Sequence, residues 1–250
     1  MSQVPQASDA PAPDADLQLE QAQQALEELL HAVSHDLGAP LRAMHGFARL
    51  LLQDHGASIG DDGRMLLERT VAAGARAGQM VEAIRAHGRL ARALPRPEEL
   101  DLSGLVRAVA QRVVTRHGTP AATLQLAPGL RLVADAGQLQ ALLEQLLDNA
   151  CKFGRGEQGA RVEVELRLDP AEAVLSVRDH GAGFDMAHAH KLFRLFQRLH
   201  RQDEFPGLGA GLATVRLVAQ HHGGRAWIEA APGRGACVFC AFPRPAQPAA

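Results

Sequence analysis

Apolar residues recur at helical spacing between residues 19 and 51, and this seam limits the folds that are open to the chain. The intervals in its first part are seven, four, three and four residues, which keeps the side chains on one narrow helix face. A face of this kind packs against a partner helix. The seam consists of Leu19, Leu26, Leu30, Val33 and Leu37, and it continues as Met44, Phe47, Leu50 and Leu51.

A second helical stretch follows the seam after a turn rich in glycine and aspartate. The pattern predicts a turn over Gln53–Gly63 and a helix over Arg64–Ala93, which together make a helical hairpin. Pro40 is expected to kink the first helix, because proline removes one backbone donor. The seam is too apolar to face water, so we expect two copies to form a dimeric four-helix bundle. Packing of the hairpin on the C-terminal part of its own chain is the alternative.

The remainder of the chain mixes helical and alternating patterns. Pro95-Arg96-Pro97 interrupts the helical pattern, and the domains predicted are a disordered tail (1–16), the hairpin (17–94), a linker (95–98) and a second domain (99–245). Its expected strands are 99–102, 123–127, 131–134, 161–168, 173–178, 226–230 and 236–242, and its expected helices are 103–116, 136–153 and 209–221. This mixture predicts an α+β chain whose second domain is a two-layer α/β sandwich.

Charge and composition exclude several classes of protein. The net charge is −2, which argues against nucleic-acid binding through a basic excess. No apolar run approaches the roughly 20 residues of a membrane span, and Met1–Ala15 lacks the features of a secretory signal, so a cytoplasmic location is expected. Cys237 and Cys240 have CxxC spacing, but they lie in a predicted strand where residues three apart face opposite sides. We therefore expect no metal or redox site there.

Four short segments carry residue types suited to phosphoryl chemistry. His35 precedes Asp36, and a neutral imidazole beside a carboxylate can accept a phosphoryl group. In the helix over 136–153, Asn149 has an amide oxygen suited to Mg²⁺, and Lys152 shares its face. The other two segments are glycine-rich: Asp179-His-Gly181-Ala-Gly183-Phe and Gly207-Leu-Gly209-Ala-Gly211, the latter at a helix start where phosphates bind.

In order and spacing, these segments resemble a sensor histidine kinase core, most closely the transmitter modules behind bacterial phytochromes. The resemblance covers about residues 20–245 and implies a catalytic domain of the GHKL ATPase/kinase type. It implies that His35 is the phosphorylated residue and Asp36 its acid/base neighbour. It further implies ATP and Mg²⁺ as cofactors, with Asn149 as the magnesium ligand and Lys152 as a phosphate contact. The implied nucleotide-binding residues are Asn149, Lys152, Asp179, Gly181, Gly183, Phe193, Phe196, Gly207, Gly209 and Gly211.

In the family, the stretch between the two glycine segments is a mobile ATP lid locked by phenylalanines. Here the corresponding stretch is rich in Arg and His and contains Phe193, Phe196 and Phe205. The resemblance implies that these phenylalanines lock an ATP lid. Ordinary core positions are the alternative for Phe193 and Phe196. Arg198 and Arg201 are candidates for phosphate contacts.

Three positions depart from the family pattern. Gln145 stands where kinases of the family usually carry Asn. Related ATPases carry at this position a Glu that activates water, and because glutamine cannot accept a proton in that way, Gln145 argues against plain ATP hydrolysis. His180 replaces the Asn of Asp-Asn-Gly, without an evident reason in the sequence. Ala39 stands four residues after His35, where many relatives carry Thr or Asn to position a water molecule. We therefore expect weak phosphatase activity toward a phosphorylated partner.

The function expected is that of an ATP-dependent protein-histidine kinase of a two-component system. His35 would take the γ-phosphate and pass it to an aspartate of a response regulator receiver domain. The expected partners are a second copy of the chain, that receiver domain, and an upstream sensor domain or sensor protein. The chain would be an excised transmitter, or it would receive its signal through another protein or through the helix near Leu17. The alternatives are a histidine phosphotransferase or scaffold with an inactive nucleotide domain, and an ATPase of the topoisomerase type.

Overall fold

The fold is that of a computed structural model, which describes residues 15–117, 124, 131–154, 162–169, 171–199, 205 and 207–243. The chain divides after Arg89 into two compact units. The domain boundaries predicted at residues 94 and 99 stay predictions. Within the described ranges, no helix has both the length and the apolar character that a bilayer span requires.

The first unit is a hairpin of two long helices. Helix α1 spans Ala15–His55 and contains Pro40 without ending there, and helix α2 spans Gly60–Arg92. The turn between them is shorter than predicted, because α2 begins four residues before Arg64. Asp61 and Asp62 lie in the first turn of α2, where negative side chains favour a helix start.

From Val33 onward, the apolar seam of the hairpin stays exposed within one copy of the chain. Met44 and Phe47 of α1 keep 63% and 67% of their surface exposed. Such a row of large apolar side chains is uncommon on the surface of a monomer. The other exposed apolar residues of the hairpin are Val33, Leu37, Leu50, Leu51, Ile59, Met65 and Leu66.

The described part of the second unit contains six strands and three α-helices. Its elements in chain order are β1 (Glu98–Asp101), α3 (Leu102–His117), β2 (Arg131–Ala134), α4 (Ala136–Phe153), β3 (Val162–Leu168), β4 (Glu172–Asp179), a 3-10 helix (Met186–Lys191), α5 (Gly211–His221), β5 (Arg225–Ala230) and β6 (Ala236–Pro243). The strand predicted at 123–127 lies outside the described residues except for Leu124, which packs against the core outside any strand. The last helix begins at Gly211, two residues later than predicted.

The main sheet is antiparallel throughout. Its strand order is β3-β4-β6-β5, while β1 and β2 form a separate antiparallel pair. Alternate residues of the sheet face the helices: Val164 pairs with Val177 across β3 and β4, and Val177 pairs with Val238 of β6. Helices α4 and α5 pack on this face, which confirms the α+β class and the two-layer arrangement.

The core of the second unit lies between the sheet and its helix layer. Leu142 and Leu143 of α4, Leu175 of β4 and Phe242 of β6 are almost entirely buried there. Burial of each such side chain contributes roughly 2 kcal/mol, so this core holds α4 firmly against the sheet. The helix that carries Asn149 is therefore a rigid support.

The two cysteines of β6 face opposite sides of the sheet. Burial raises the pKa of the Cys237 thiol to about 11 and that of the Cys240 thiol to about 12, so both stay protonated at neutral pH. Protonated thiols are poor nucleophiles and poor metal ligands. Among the residues that the structure describes, no three His, Cys, Asp or Glu side chains are grouped to hold a metal ion.

A polar cluster at the start of α4 holds the segment that leads into the second unit. Asp135 caps α4, accepting hydrogen bonds from the backbone N–H of Gln138 at 2.9 Å and of Arg96 at 2.8 Å. These bonds hold the pKa of Asp135 below its usual range. The buried Gln138 side chain donates to the carbonyl of Ala93, 3.2 Å away. His222, directly after α5, accepts from the Asp135 N–H at 2.9 Å.

Replacing Asp135 by alanine is expected to lower the free energy of unfolding by about 1 kcal/mol, because the helix cap and the acceptor for Arg96 are both lost. Asp135→Asn is the matched control, since asparagine caps helices about as well and gives up only one carboxylate oxygen. Urea denaturation measures both variants. Equal losses of unfolding free energy in Asp135→Ala and Asp135→Asn would show that the helix cap contributes nothing to stability.

Candidate functional site

A cavity of about 360 Å³ opens between the helix layer and the glycine-rich segments of the second unit. It brings together residues that are up to 93 positions apart in the sequence, including residues of α4, the end of β4 and the start of α5. Most of the predicted nucleotide-binding residues line it: Asn149, Lys152, Asp179, Gly183, Gly207, Gly209 and Gly211. Gln145 lines it as well.

One face of α4 supplies polar side chains to this cavity. Gln145 and Asn149 are one turn apart and both lie beside Gly211, the first residue of α5. A Cβ at position 211 would lie 2.8 Å from Oε1 of Gln145 and 3.5 Å from Nδ2 of Asn149. A glycine here therefore lets the start of α5 approach the two amides closely.

Lys152 is held by an acidic neighbour that the sequence reasoning missed. Its Nζ hydrogen-bonds Asp148, and Nε2 of His117 lies 2.6 Å from the other oxygen of the same carboxylate. Burial alone would raise the pKa of Asp148, but these two hydrogen bonds outweigh it and keep the pKa below its usual range. Asp148 thus positions Lys152 at the cavity. The i,i+4 spacing of the two residues was the available signal.

Asp179 ends β4 with its side chain in the cavity. Its Oδ1 accepts hydrogen bonds from the backbone N–H of Gly181 at 3.0 Å and of Ala236 at 3.2 Å. Burial raises the pKa of Asp179 above its usual value, despite these two bonds. Because a single oxygen takes both backbone donors, the other one remains for a ligand that carries an N–H group.

The glycines after Asp179 are required by close backbone packing. A Cβ at Gly181 would lie 1.9 Å from the carbonyl oxygen of Phe153, although Gly181 itself does not line the cavity. Gly183 has a φ of +56°, and a Cβ there would lie 2.0 Å from the carbonyl oxygen of Ala231. Both glycines therefore fix the chain path beside Asp179.

The second glycine segment closes the opposite side of the cavity. Gly209 has a φ of +76°, and its carbonyl accepts the N–H of Phe196 at 2.8 Å. Phe196 itself has a φ of +63°, an uncommon conformation for a residue with a side chain. Arg198 donates to the carbonyl oxygens of Gly207 and Phe205. Phe196 is thus held to the second glycine segment by a backbone hydrogen bond, and Arg198 is held to it by its side chain.

The phenylalanines of the lid segment do not line the cavity. Phe193 is half-buried against the core, in agreement with the alternative that it is an ordinary core residue. Phe196 is also half-buried. Phe205 packs on Phe153 with 4.9 Å between ring centroids. The sequence reasoning missed Leu192, Gln197 and Leu199, which do line the cavity. Arg201 lies outside the described residues.

The structure gives a physical reason for the departure at position 180. Nε2 of His180 lies 3.3 Å from Oε1 of Glu163 on β3, and His180 is absent from the cavity lining. The His180 side chain therefore pairs with the neighbouring strand and takes no part in the cavity lining. Exposed pairs of this kind contribute at most about 1 kcal/mol.

Replacing His180 by asparagine is therefore expected to change the dissociation constant for ATP less than about twofold, with a loss of stability below about 1 kcal/mol. Titration with a fluorescent ATP analogue and urea denaturation check the two values. A tenfold weaker affinity would show that His180 contacts the nucleotide.

In the first unit, His35 and Asp36 are exposed on α1. Nδ1 of His35 lies 3.0 Å from Oδ1 of Asp36, and their side chains are 77% and 80% exposed. If Nδ1 donates its proton to this carboxylate, the lone pair of Nε2 faces solvent and can act as a nucleophile.

Comparisons with known protein families place both units. Residues 25–92 match the His Kinase A (phospho-acceptor) domain, and residues 134–246 match the histidine kinase-, DNA gyrase B-, and HSP90-like ATPase family. The chain belongs to the sensor histidine kinases. It therefore has the transmitter core that the sequence predicted.

Two curated relatives of this histidine kinase core are much longer than the chain. It is 33% identical over 221 residues to the methanogenesis regulatory histidine kinase FilI of Methanothrix harundinacea, covering 88% of this chain and 25% of FilI. It is 27% identical over 228 residues to cyanobacterial phytochrome B of Nostoc sp., covering 89% of this chain and 30% of the phytochrome. The chain thus spans less than a third of either relative.

A solved structure supports the fold of this histidine kinase core. Full-length ShkA in complex with AMPPNP is similar over 86% of this chain and 45% of ShkA, with a TM-score of 0.56 and 24% identity. At this level of identity the similarity concerns the fold.

Proposed function

We propose that this chain is an ATP-dependent protein-histidine kinase that phosphorylates its own His35. The observation that carries the proposal is the cavity, which gathers Asn149, Lys152, Asp179 and the glycine segments at one site. Membership of the histidine kinase family supports it.

The adenine end of the cavity lies at Asp179. The Asp179 oxygen that takes no backbone N–H can accept a hydrogen bond from the adenine amino group, whereas the oxygen of guanine would meet it as a second acceptor. The phosphates would lie toward Lys152 and the start of α5, where free N–H groups and the helix dipole favour negative charge. The phosphates of ATP would then replace part of the contact between Lys152 and Asp148.

The residues at the cavity fit a magnesium ion that is bound together with nucleotide phosphates. Asn149 and Gln145 offer amide oxygens, which are hard ligands, and magnesium usually keeps waters and substrate oxygens as its other ligands. Asn149 would hold the ion. When bound, magnesium neutralises charge on the β- and γ-phosphates.

The proposed reaction moves one phosphoryl group. Nε2 of His35 attacks the γ-phosphorus, an N–P bond forms, and the bond to the β,γ-bridging oxygen breaks, so that ADP leaves with the bond electrons. Asp36 holds the Nδ1 proton and stabilises the positive charge that develops on the ring. Catalysis in such transfers is mostly positioning and neutralisation of charge.

We further propose the partners of this reaction. The exposed seam of α1 and α2 would be covered by a second copy of the hairpin, giving the dimeric four-helix bundle. The phosphoryl group would pass from His35 to an aspartate of a response regulator receiver domain. The upstream sensor and the cytoplasmic location stay predictions.

Incubation with γ-labelled ATP and Mg²⁺ tests the proposed kinase activity. The expected product is a label on the protein that is lost in acid and stable in alkali, as a phosphoramidate bond is. His35→Gln should abolish the label with ATP affinity unchanged, and Asn149→Ala should abolish it in a protein with intact His35.

The same assay separates the two alternatives. Release of inorganic phosphate without protein label would support an ATPase, and absence of nucleotide binding would support a phosphotransferase or scaffold. Gln145 lacks the carboxylate that would activate water, so we favour transfer over hydrolysis.

Phosphatase activity toward a phosphorylated partner is expected to be weak. Ala39, one turn after His35 on an exposed part of α1, has no polar atom to hold a water molecule. The measurement is the decay of phosphorylated response regulator with the kinase and ADP present. The rate should stay within about twofold of the spontaneous rate, and Ala39→Thr should raise it about tenfold if one positioned water was the missing part. Rapid clearance by the wild-type chain would contradict this expectation.

A further inference from the structure

Arginine side chains from two helices fill the space above a glycine one turn after His35. Gly38 lies inside α1 and is buried. A Cβ built there would lie 2.9 Å from Nη2 of Arg85, on α2, and 3.0 Å from Nη1 of Arg42, on α1. The two guanidinium groups therefore occupy the volume that any side chain at position 38 would need.

Glycine is an unfavourable residue in the interior of a helix, so its presence at position 38 calls for a local reason. Gly46, in the same helix, provides the comparison, because no atom lies within 4 Å of its missing Cβ. Gly38 differs in having two cationic groups at that point. The missing side chain is what lets both of them approach the backbone of α1.

Arg85 is held in place by contacts on both helices. Its Nη1 donates to Oε1 of Glu82 at 2.9 Å, and its Nη2 lies 3.4 Å from the backbone carbonyl oxygen of His35. Only 21% of its side chain is exposed, whereas Glu82 is 59% exposed. A guanidinium held in this way loses less freedom when it binds an anion than a fully exposed one does.

The guanidinium groups face the turn that carries His35. Side chains at i and i+3 are neighbours on a helix, and each Cα–Cβ bond tilts toward the helix N-terminus. The volume above Gly38 therefore lies beside the side chain of His35. We propose that Arg42 and Arg85, hereafter the arginine pair, bind the phosphoryl group carried on Nε2 of His35.

The charges at this point favour an anion. Two guanidinium groups that converge on one point repel each other. Glu82 contacts Arg85 at 2.9 Å, and Asp36 contacts His35 at 3.0 Å. A phosphoryl group adds about two negative charges and three acceptor oxygens, which guanidinium groups bind with paired hydrogen bonds. Phosphorylation thus replaces repulsion by attraction at the arginine pair. This inference rests on the proposed role of His35 as the phosphoryl acceptor.

Chemical phosphorylation tests the arginine pair independently of ATP. Phosphoramidate transfers its phosphoryl group to imidazole: the N–P bond of the reagent breaks, the bond from Nε2 to phosphorus forms, and ammonia leaves. With the 250-residue chain, phosphorus NMR measures both the yield on His35 and the half-life of the phosphohistidine at neutral pH. The affinity for a fluorescent ATP analogue is measured on the same proteins as a control for the second unit.

The decisive variants are two helix glycines changed to alanine. Gly38→Ala should raise the thermal midpoint, because alanine favours the helix, and yet lower the yield and half-life about tenfold by displacing the arginine pair. Gly46→Ala should raise the midpoint without changing the phosphohistidine. Arg85→Gln should lower the yield and half-life of the phosphohistidine as much as Gly38→Ala does. Arg85→Lys should restore part of the half-life, because lysine keeps the positive charge. The ATP affinity should be the same in all.

The inference is overturned if Gly38→Ala and Gly46→Ala have the same yield and half-life, or if phosphoramidate leaves His35 of the wild-type chain unmodified. If the variants follow the expected order with phosphoramidate while ATP produces no label, the arginine pair stands and the proposed ATP-dependent activity fails.

Discussion

The Asp179→Asn chain is expected to bind ATP about 100-fold more weakly than the wild-type chain while remaining folded. Asparagine can keep the acceptor for the backbone N–H groups of Gly181 and Ala236. Its amide nitrogen then faces the adenine amino group as a second donor, which removes a charge-assisted hydrogen bond and leaves donors unpaired. Discrimination against GTP should fall for the same reason, since guanine offers an acceptor at that position.

The stability of this variant separates a ligand-binding role from a structural one. Burial raises the pKa of Asp179, so the folded state is favoured below the pKa of the unfolded chain. That advantage is lost as pH rises through the higher pKa of the folded state. Because asparagine does not ionise, the free energy of unfolding of the Asp179→Asn chain at neutral pH should equal or exceed that of the wild-type chain.

Calorimetric titration with ATP and GTP, together with urea denaturation at pH 7, measures these effects. Asp169→Asn, just beyond the far end of β3, is the control and should leave nucleotide affinity unchanged. A destabilised Asp179→Asn chain with normal ATP affinity would assign Asp179 a purely structural role.

The Gly183→Ala chain is expected to lose about 3 kcal/mol of unfolding free energy and most of its nucleotide affinity. Its φ of +56° is unfavourable for alanine, and its new Cβ would lie 2.0 Å from the carbonyl oxygen of Ala231 and 2.8 Å from that of Gly235. Backbone atoms cannot rotate away as the end of a side chain can. The turn between β5 and β6 must therefore move, and with it the wall of the cavity.

Gly233→Ala is the matched control for this prediction. Gly233 has a similar φ of +71°, but no atom lies within 4 Å of its missing Cβ. The control therefore has the backbone strain alone, at about 1 kcal/mol, and should keep its ATP affinity. Urea denaturation and ATP titration measure both chains. Equal losses of stability in the two would show that the close approach to Ala231 is unimportant.

Long periodic patterns allowed most of the fold to be predicted. The seam over 19–51 indicated the hairpin, and the alternating stretches became β3, β4, β5 and β6. The predicted helix boundaries differ from the structure where local charge decides them. Helix α2 begins at Gly60, before the predicted Arg64, because Asp61 and Asp62 favour an earlier helix start. The start of α5 at Gly211 also differs, because Gly209 takes a left-handed conformation that a helix cannot contain.

The sequence indicated the cavity residues that have distinctive chemistry, and it missed those that are defined only by packing. Asn149, Asp179 and four glycines could be named because amides, carboxylates and glycines have recognisable roles. For Asp148 the i,i+4 spacing with Lys152 was the available signal, whereas its contact with His117 joins residues 31 positions apart and leaves no pattern in the sequence. Leu192 and Leu199 resemble any other core leucines.

Two further features depend on three-dimensional contacts. His180 could be understood only from its pairing with Glu163 on the neighbouring strand. The closeness of Gly38 to Arg85 depends on the packing of α2 against α1, 47 residues apart in the sequence. Interactions between distant segments are those that a helical or alternating pattern does not record.

The central claim is that a nucleotide bound in the cavity gives its terminal phosphoryl group to His35. Mass spectrometry of the chain after incubation with magnesium and ATP labelled with ¹⁸O in the γ-phosphate, with digestion kept at alkaline pH, tests it most directly. We predict one labelled phosphoryl group on the peptide that contains His35, much less label after Asp179→Asn, and none after His35→Gln. Labelled phosphate released into solution with that peptide unmodified, or a label on another residue of the His35→Gln chain, would contradict the claim.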